Sequence, residues 1–103
     1  DPKRYDGYLW LGKAYENVKD FKMAEQVYFK AIEFLPKNPE VYFEIAEFIY
    51  RQRITEMWHI CKSYYDKTLE LDPKHPKREH IIETLKKVNS SVERVKKSGD
   101  VNQ

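Results

Sequence analysis

Apolar side chains recur every three or four residues between positions 8 and 18, the spacing that lines one face of an α-helix. A second stripe begins at Phe21, after a short segment (17–20) rich in residues that favour turns and helix caps. Pro36 cannot continue a helix and stops this second stripe. The pattern therefore predicts two helices joined by a tight turn. The first stripe consists of Tyr8, Leu11, Ala14, Tyr15 and Val18.

The same cycle recurs after Pro36. Asn38 is suited to cap a helix, and Pro39 to occupy its first turn, where the missing N–H costs nothing. One apolar stripe then covers residues 41–49 and another covers residues 57–69. We therefore predict a second pair of helices, and hence two helical hairpins in tandem.

The prolines give the period of this repetition. Pro2 and Pro36 are 34 residues apart, and Pro73 follows 37 residues after Pro36. Loops absorb insertions more easily than packed helices do. We therefore expect the three extra residues in the connection at 51–55, inside the second hairpin.

The first unit carries a series of aromatic and small residues at fixed positions. The series reads Tyr8, Leu11-Gly12, Tyr15, Ala24, Tyr28, Ala31 and Pro36. It resembles the tetratricopeptide repeat (TPR) family, whose 34-residue unit is a helical hairpin with this order of residues. The resemblance implies an all-α fold, a solenoid of antiparallel helix hairpins. Small residues are needed where two helices approach closely, and we expect Gly12 and Ala24 to form the closest pair.

The second unit matches the same series less completely. It keeps Tyr42, Ile45-Ala46, Tyr65 and Pro73, and it places Ile49, Cys61 and Thr68 where the family has Tyr and two Ala. We therefore interpret it as a degenerate TPR-like hairpin. Cys61 is expected to be a small buried packing residue and not a reactive thiol.

The last segment, 76–98, does not continue the repeat. It carries one narrow apolar stripe on an otherwise charged helix, which is typical of an element that caps a repeat array. The same stripe also fits pairing with a partner helix, particularly at Val92 and Val95. The predicted organisation is a tail of a preceding repeat or a linker at 1–4, hairpins at 5–37 and 38–75, a capping helix at 76–98 and a disordered tail at 99–103.

Charge is distributed unevenly along the chain. Residues 1–73 carry 11 basic and 13 acidic side chains (net −2), whereas residues 74–103 carry 8 and 4 (net +4). The alternative function that this asymmetry suggests is nucleic-acid binding through the basic final helix. Glu79 and Glu83 interrupt the basic residues, so we expect a solvated helix face and no nucleic-acid partner.

The sequence gives little sign of a membrane, a cofactor or a catalytic site. No apolar run approaches the roughly 20 residues that span a bilayer, and the first residues lack the layout of a signal peptide. A single cysteine suits a reducing compartment, so we expect a cytoplasmic or nuclear protein. There is no phosphate-binding Gly-rich loop, no evident nucleophile and base, and no histidine pair at metal spacing. We therefore predict a protein that is not an enzyme and holds no metal or cofactor.

Function in the TPR family comes from the groove lined by the first helix of each hairpin. The resemblance places eleven residues there, and helical periodicity also puts them off the core face. Trp10 and Phe43 are expected to be exposed apolar anchors for a protein or peptide segment, and Glu44 and Glu47 to favour a basic residue beside them. The alternative is that Trp10 is half-buried against the neighbouring unit and binds nothing. The predicted groove residues are Asp6, Leu9, Trp10, Lys13, Glu16, Asn17, Phe43, Glu44, Glu47, Tyr50 and Arg51.

The predicted partner is a protein or a peptide, bound by a scaffold that is a piece of a longer TPR protein. Some TPR proteins clamp a C-terminal carboxylate with Lys and Asn from the first unit, Asn from the second and Lys or Arg from a third. Here the two first-unit places hold Leu9 and Lys13, and the second-unit place holds Glu44 where an amide is needed. An acid there would repel a carboxylate, so we do not expect that ligand. The isolated chain is expected to be a monomer, or to self-associate artificially through the outer face of the first hairpin.

Overall fold

The structure is a computed structural model that describes the backbone of residues 4–101 and the side chains of residues 7–90. The described chain is all-α, as predicted, and contains no strand. Its elements are α1 (Arg4–Asn17), α2 (Phe21–Phe34), α3 (Pro39–Arg51), a 3₁₀ turn (Thr55–Met57), α4 (Trp58–Leu71) and α5 (Arg78–Val101).

The helix boundaries lie close to the predicted ones, except at the end of the chain. Helices α1 and α2 fall within the predicted first hairpin once Arg4 is added, and α3 and α4 fall within the second. Helix α5 continues to Val101, beyond the predicted boundary at residue 98, so a disordered tail from residue 99 is not what the backbone shows. Residues 1–3, 102 and 103 lie outside the described chain.

Side-chain caps explain where two of the helices begin. The Asp20 carboxylate accepts a hydrogen bond from the Met23 N–H (3.2 Å), at the start of α2. The Asn38 side-chain oxygen accepts one from the Glu40 N–H (2.9 Å), and Pro39 occupies the first turn of α3. The predicted roles of Asn38 and Pro39 are therefore confirmed.

The backbone conformation at the end of α1 is repeated 34 residues later, at the end of α3. Lys19 and Arg53 both have positive φ angles, 64° and 54°. The N–H of the residue after each donates to a carbonyl five residues back: Asp20 to Tyr15 (2.9 Å) and Ile54 to Ile49 (3.2 Å). Both first helices therefore end in the same left-handed turn.

The ends of α2 and α4 also match, with an offset of 37 residues. The Leu35 N–H donates to the Ala31 carbonyl, and the Asp72 N–H donates to the Thr68 carbonyl, each at 2.9 Å. The offset changes from 34 to 37 between Ile54 and Trp58, where the 3₁₀ turn lies. The three extra residues are therefore Thr55–Met57. They lie in the connection inside the second hairpin, as predicted, but only Thr55 falls within the predicted range 51–55. The left-handed turn up to Ile54 is retained, so the insertion follows it.

Packing joins each helix to the next and also joins the two hairpins. Helix α1 packs on α2, α3 packs on α4 and on α2, and α5 packs on α4. Tyr28 of α2 is fully buried between α1 and α3, with its ring centroid 5.1 Å from that of Phe48. A Cβ atom built on Gly12 would lie 2.7 Å or less from three atoms of the Tyr28 ring. Gly12 therefore makes room for the Tyr28 ring.

Three members of the predicted α1 stripe, Leu11, Ala14 and Val18, are exposed and do not face the core. Leu11 is 43% exposed and Val18 is 72% exposed, whereas Leu9, predicted to lie off the core, is only 8% exposed. Helix α1 contacts both α2 and α3. The buried side of α1 therefore faces two neighbouring helices, and a single periodic stripe predicts the contact with only one of them.

Cys61 is buried in the core, as predicted. Its thiol donates to the Ala46 carbonyl (3.4 Å), and burial together with the negative charge of Glu47 raises the pKa of Cys61 to about 12. We expect this thiol to react with 5,5′-dithiobis(2-nitrobenzoate) only when the protein unfolds. Labelling rates measured across a urea titration test this, and a rate in native buffer equal to that of free cysteine would contradict it.

Candidate functional site: the groove between α1 and α3

The first helices of the two hairpins enclose a groove with a cavity of about 360 Å³. All seven residues that line it belong to the set predicted from the sequence. They are Lys13, Glu16, Asn17, Phe43, Glu44, Glu47 and Arg51. Trp10 lies outside this cavity but lines an adjoining one of about 240 Å³ with Lys13, Ala14 and Asn17. We call the two cavities together the groove.

An ion pair crosses the groove at Lys13. Its ammonium Nζ lies 3.1 Å from Glu44 Oε2, so α1 and α3 are joined at this point. Half of the Lys13 side chain is exposed, and an ion pair of this kind is worth at most about 1 kcal/mol. A charged group from a partner can therefore displace it at little cost.

Glu16 forms a second and stronger link across the groove. Its carboxylate accepts hydrogen bonds from Arg51 Nε and Nη2 (2.8 Å each), Gln52 Nε2 (2.7 Å) and the Tyr28 hydroxyl (3.0 Å). Burial alone would raise the pKa of Glu16, but the hydrogen bonds from Arg51, Gln52 and Tyr28 and the charge of Arg51 outweigh burial and lower it. Burial and the nearby carboxylate raise the pKa of Tyr28, which stays a neutral donor.

Glu47 repeats this arrangement between the second hairpin and α5. Its Oε1 accepts from the Tyr65 hydroxyl (2.6 Å) and lies 2.7 Å from His80 Nε2. Burial, together with the hydrogen bond and charge of Glu47, raises the pKa of Tyr65. In each hairpin, a carboxylate of the first helix therefore accepts a hydrogen bond from a tyrosine of the second helix. The same carboxylate contacts a side-chain nitrogen of the helix that follows the hairpin, Arg51 of α3 or His80 of α5.

Three residues predicted to be exposed in the groove are buried. Leu9 packs in the core, the Glu16 side chain is only 7% exposed, and Phe43 is 7% exposed. The Phe43 ring lies 5.0 Å from that of His75 and 6.5 Å from that of Tyr65, centroid to centroid. Phe43 therefore supports the floor of the groove and is not an exposed anchor.

Trp10 is exposed, as predicted, at 78% of its surface. Tyr50 lies away from the groove, with its ring 6.0 Å from that of Trp58 and under the guanidinium of Arg53 at 4.7 Å. The side chain of Asp6 lies outside the described residues. The structure thus brings together seven predicted residues, keeps Trp10 at the rim and places Leu9 and Tyr50 elsewhere.

Two histidines that the sequence did not single out anchor the start of α5 to α3. His75 Nδ1 accepts from the Lys77 N–H (3.0 Å), so Nε2 carries the ring proton and donates to the Glu40 carboxylate. His80 contacts Glu47 from the first turn of α5. Their partners are 35 and 33 residues earlier in the chain, so no local pattern identifies them.

Within the described part of the chain, none of the helices has the length and hydrophobicity needed to cross a bilayer. Among residues 7–90, whose side chains the structure describes, no three His, Cys, Asp or Glu side chains converge as metal ligands would.

Comparison of the sequence with protein-family models gives no match, and comparison with curated proteins gives none either. The groove is therefore interpreted from its own geometry and charges.

Proposed function

We propose that this chain is a TPR-type interaction module, two tandem hairpins closed by α5, that acts without catalysis as part of a longer scaffold protein. The tandem arrangement is supported by the helix ends that recur 34 and 37 residues apart. Within each hairpin, a carboxylate of the first helix also accepts a hydrogen bond from a tyrosine of the second helix: Glu16 from Tyr28 and Glu47 from Tyr65. A solenoid of this kind presents its first helices along one concave surface.

The observation that carries the binding proposal is the groove itself. Seven charged, polar and aromatic residues from two helices surround one cavity, and an exposed tryptophan stands beside it. Such an aromatic side chain at a rim is a typical anchor for a peptide. Glu44 has one carboxylate oxygen engaged by Lys13, which leaves the other oxygen for a partner.

The preferred ligand is therefore an extended or helical protein segment with a basic side chain next to an apolar one. The basic side chain binds beside Glu44 and Glu47, and the apolar one packs on Trp10. Three carboxylates and two cations line the larger cavity, so its formal charge is −1 and favours a cation.

A peptide-display selection against the full chain tests this function. We expect enriched peptides to share a Lys or Arg adjacent to an apolar residue, and calorimetry to show their affinity falling about 10- to 30-fold with Trp10→Ala, a loss of about 1.4–2 kcal/mol. Glu44→Gln should reduce the affinity several-fold, by about 1 kcal/mol.

Two exposed residues outside the groove provide matched controls. Phe34→Ala removes an exposed aromatic of α2, and Glu70→Gln neutralises an exposed carboxylate of α4. Neither should change peptide affinity. Peptides without a shared basic residue, or peptides whose binding ignores both Trp10→Ala and Glu44→Gln, would reject the groove as the binding surface.

A further inference from the structure

His80, on the first turn of α5, reaches the larger cavity of the groove through its contact with Glu47. Its Nε2 lies 2.7 Å from Glu47 Oε1, and about half of the His80 side chain is exposed to solvent. Glu47 lines the cavity, and its side chain is 20% exposed. The histidine can therefore act on the groove through a carboxylate that a ligand can reach.

The two oxygens of Glu47 are used differently. Oε1 accepts a hydrogen bond from the Tyr65 hydroxyl (2.6 Å) and contacts His80, whereas Oε2 has no hydrogen-bond partner among the described side chains. A carboxylate oxygen has two lone pairs, so Oε1 is fully engaged and Oε2 is left for a cation in the cavity. Tyr65 and His80 together fix the orientation of this carboxylate.

Glu16 lines the same cavity but cannot take this role. Each of its two oxygens already accepts two hydrogen bonds, and the donors are Tyr28, Arg51 and Gln52. A ligand cation therefore binds to the other carboxylates of the cavity, among which Glu47 is the one that contacts a histidine.

Among the groups described around Glu47, His80 is the one whose charge can change near neutral pH. Burial, together with the hydrogen bond and charge of Glu47, raises the pKa of Tyr65, and burial raises that of Cys61 to about 12, so both stay neutral. Hydrogen bonds to a carboxylate raise the pKa of Arg51, which stays positive. A histidine side chain, in contrast, changes its charge between about pH 5 and pH 8.

The charged side chains beside His80 on α5 are Glu79 and Glu83, which are both exposed. Glu83 also lies 3.4 Å from the ammonium of Lys86. Carboxylates and amines keep their charge near neutral pH, so these neighbours contribute no titration in that range.

The second histidine at the start of α5 does not reach the cavity in the same way. His75 packs on Phe43 and donates to Glu40, and Glu40 does not line the cavity. The most direct path from a titrating imidazole to the ligand site therefore runs through His80 and Glu47.

We propose that His80 is a positioning residue for Glu47, and that protonation of His80 weakens the binding of basic ligands in the groove. Neutral His80 donates one hydrogen bond through Nε2 and leaves the negative charge of Glu47 to the ligand. When Nδ1 also gains a proton, the ring becomes a cation beside Glu47 and offsets its attraction for a second cation. This inference rests on the proposed function, because it concerns the basic side chain that the groove binds.

The peptide acetyl-Ala-Ala-Leu-Arg-Ala-Ala-amide tests the proposal, because it places an apolar side chain next to a basic one. We expect calorimetry on the full chain to show a Kd about 3- to 10-fold higher at about pH 5.5 than at about pH 7.5. Near pH 6, binding should release protons, detected as a dependence of the heat on the ionisation enthalpy of the buffer. The pKa of Glu16 lies below 4.5, so that carboxylate stays ionised in this range.

His80→Gln keeps an N–H donor for Glu47 but cannot become charged. This variant should bind the peptide as tightly as the wild type at about pH 7.5, and its Kd should change less than about twofold down to about pH 5.5, without proton release. His59→Gln is the matched control, because it removes an exposed histidine of α4 outside the groove and should keep the wild-type pH dependence. A peptide with citrulline in place of arginine should bind more weakly and without pH dependence, because it has no charge.

The outcomes separate this inference from the proposed function. Equal affinity of the wild type at both pH values, or a His80→Gln variant that keeps the wild-type decline, would overturn the role of His80 and leave the groove as a peptide site. Failure of the peptide to bind at either pH would reject the preference for basic segments and this inference with it.

Discussion

Replacing Gly12 by leucine is expected to destabilise the protein by about 3 kcal/mol or more, a large part of the stability of a domain this small. A Cβ atom at this position would lie 2.4 Å from Cε1 of Tyr28. The ring cannot move aside, because its hydroxyl is held by Glu16 and its other side packs on Phe48. Urea unfolding followed by circular dichroism measures the effect.

Gly7 provides the matched control in the same helix. A Cβ built there meets no atom within 4 Å, so Gly7→Ala gains helix propensity without a clash and should stabilise the protein by about 0.5–1 kcal/mol. A Gly12→Leu variant with the unfolding midpoint of the wild type would show that Tyr28 does not occupy the space over Gly12.

Replacing Glu16 by alanine is expected to cost about 2–4 kcal/mol of unfolding free energy. The substitution removes the acceptor for the buried Tyr28 hydroxyl and breaks the bidentate pair with Arg51 that joins the two hairpins. Glu33→Ala is the control: this exposed carboxylate pairs with Lys30 at 3.8 Å, and its loss should change the stability by no more than about 0.5 kcal/mol. Equal effects of the two substitutions would contradict the role of Glu16.

The same residue gives the stability a pH dependence. The pKa of Glu16 is lowered in the folded state from its ordinary value of 4.5, so the carboxylate stabilises the fold fully above that value. This contribution is lost as the pH falls through the folded pKa, below 4.5. Urea titrations between about pH 6 and pH 3 should therefore show a shallower decline for Glu16→Gln than for the wild type. A decline of equal slope in both proteins would show that Glu16 is not preferentially ionised in the folded state.

Much of the local structure could be predicted from the sequence. Pro36, Asn38 and Pro39 act on the backbone within one or two turns of themselves, so their effects on helix ends are visible in the sequence. Seven of the predicted groove residues also line the larger cavity. Residues at equivalent positions of α1 and α3 lie side by side once the two hairpins pack together.

Burial in the groove could not be predicted from periodicity. Leu9 and Phe43 lie off the predicted stripes, yet both are buried, and Phe43 packs on Tyr65 and His75. Glu16 is buried because Arg51 and Gln52, 35 and 36 residues later, supply hydrogen bonds that no local pattern reveals. The TPR assignment itself stays a prediction.

The 3₁₀ turn at Thr55–Met57 shows how the lengths of the two units can differ. The left-handed turn before it and the start of α4 after it keep their places relative to the first hairpin, and none of the three residues is buried. Residues can therefore be inserted or deleted at this turn without changing how the helices pack against each other. A repeat search with a fixed 34-residue period misaligns the residues after Met57, because the offset between equivalent positions changes there from 34 to 37 residues.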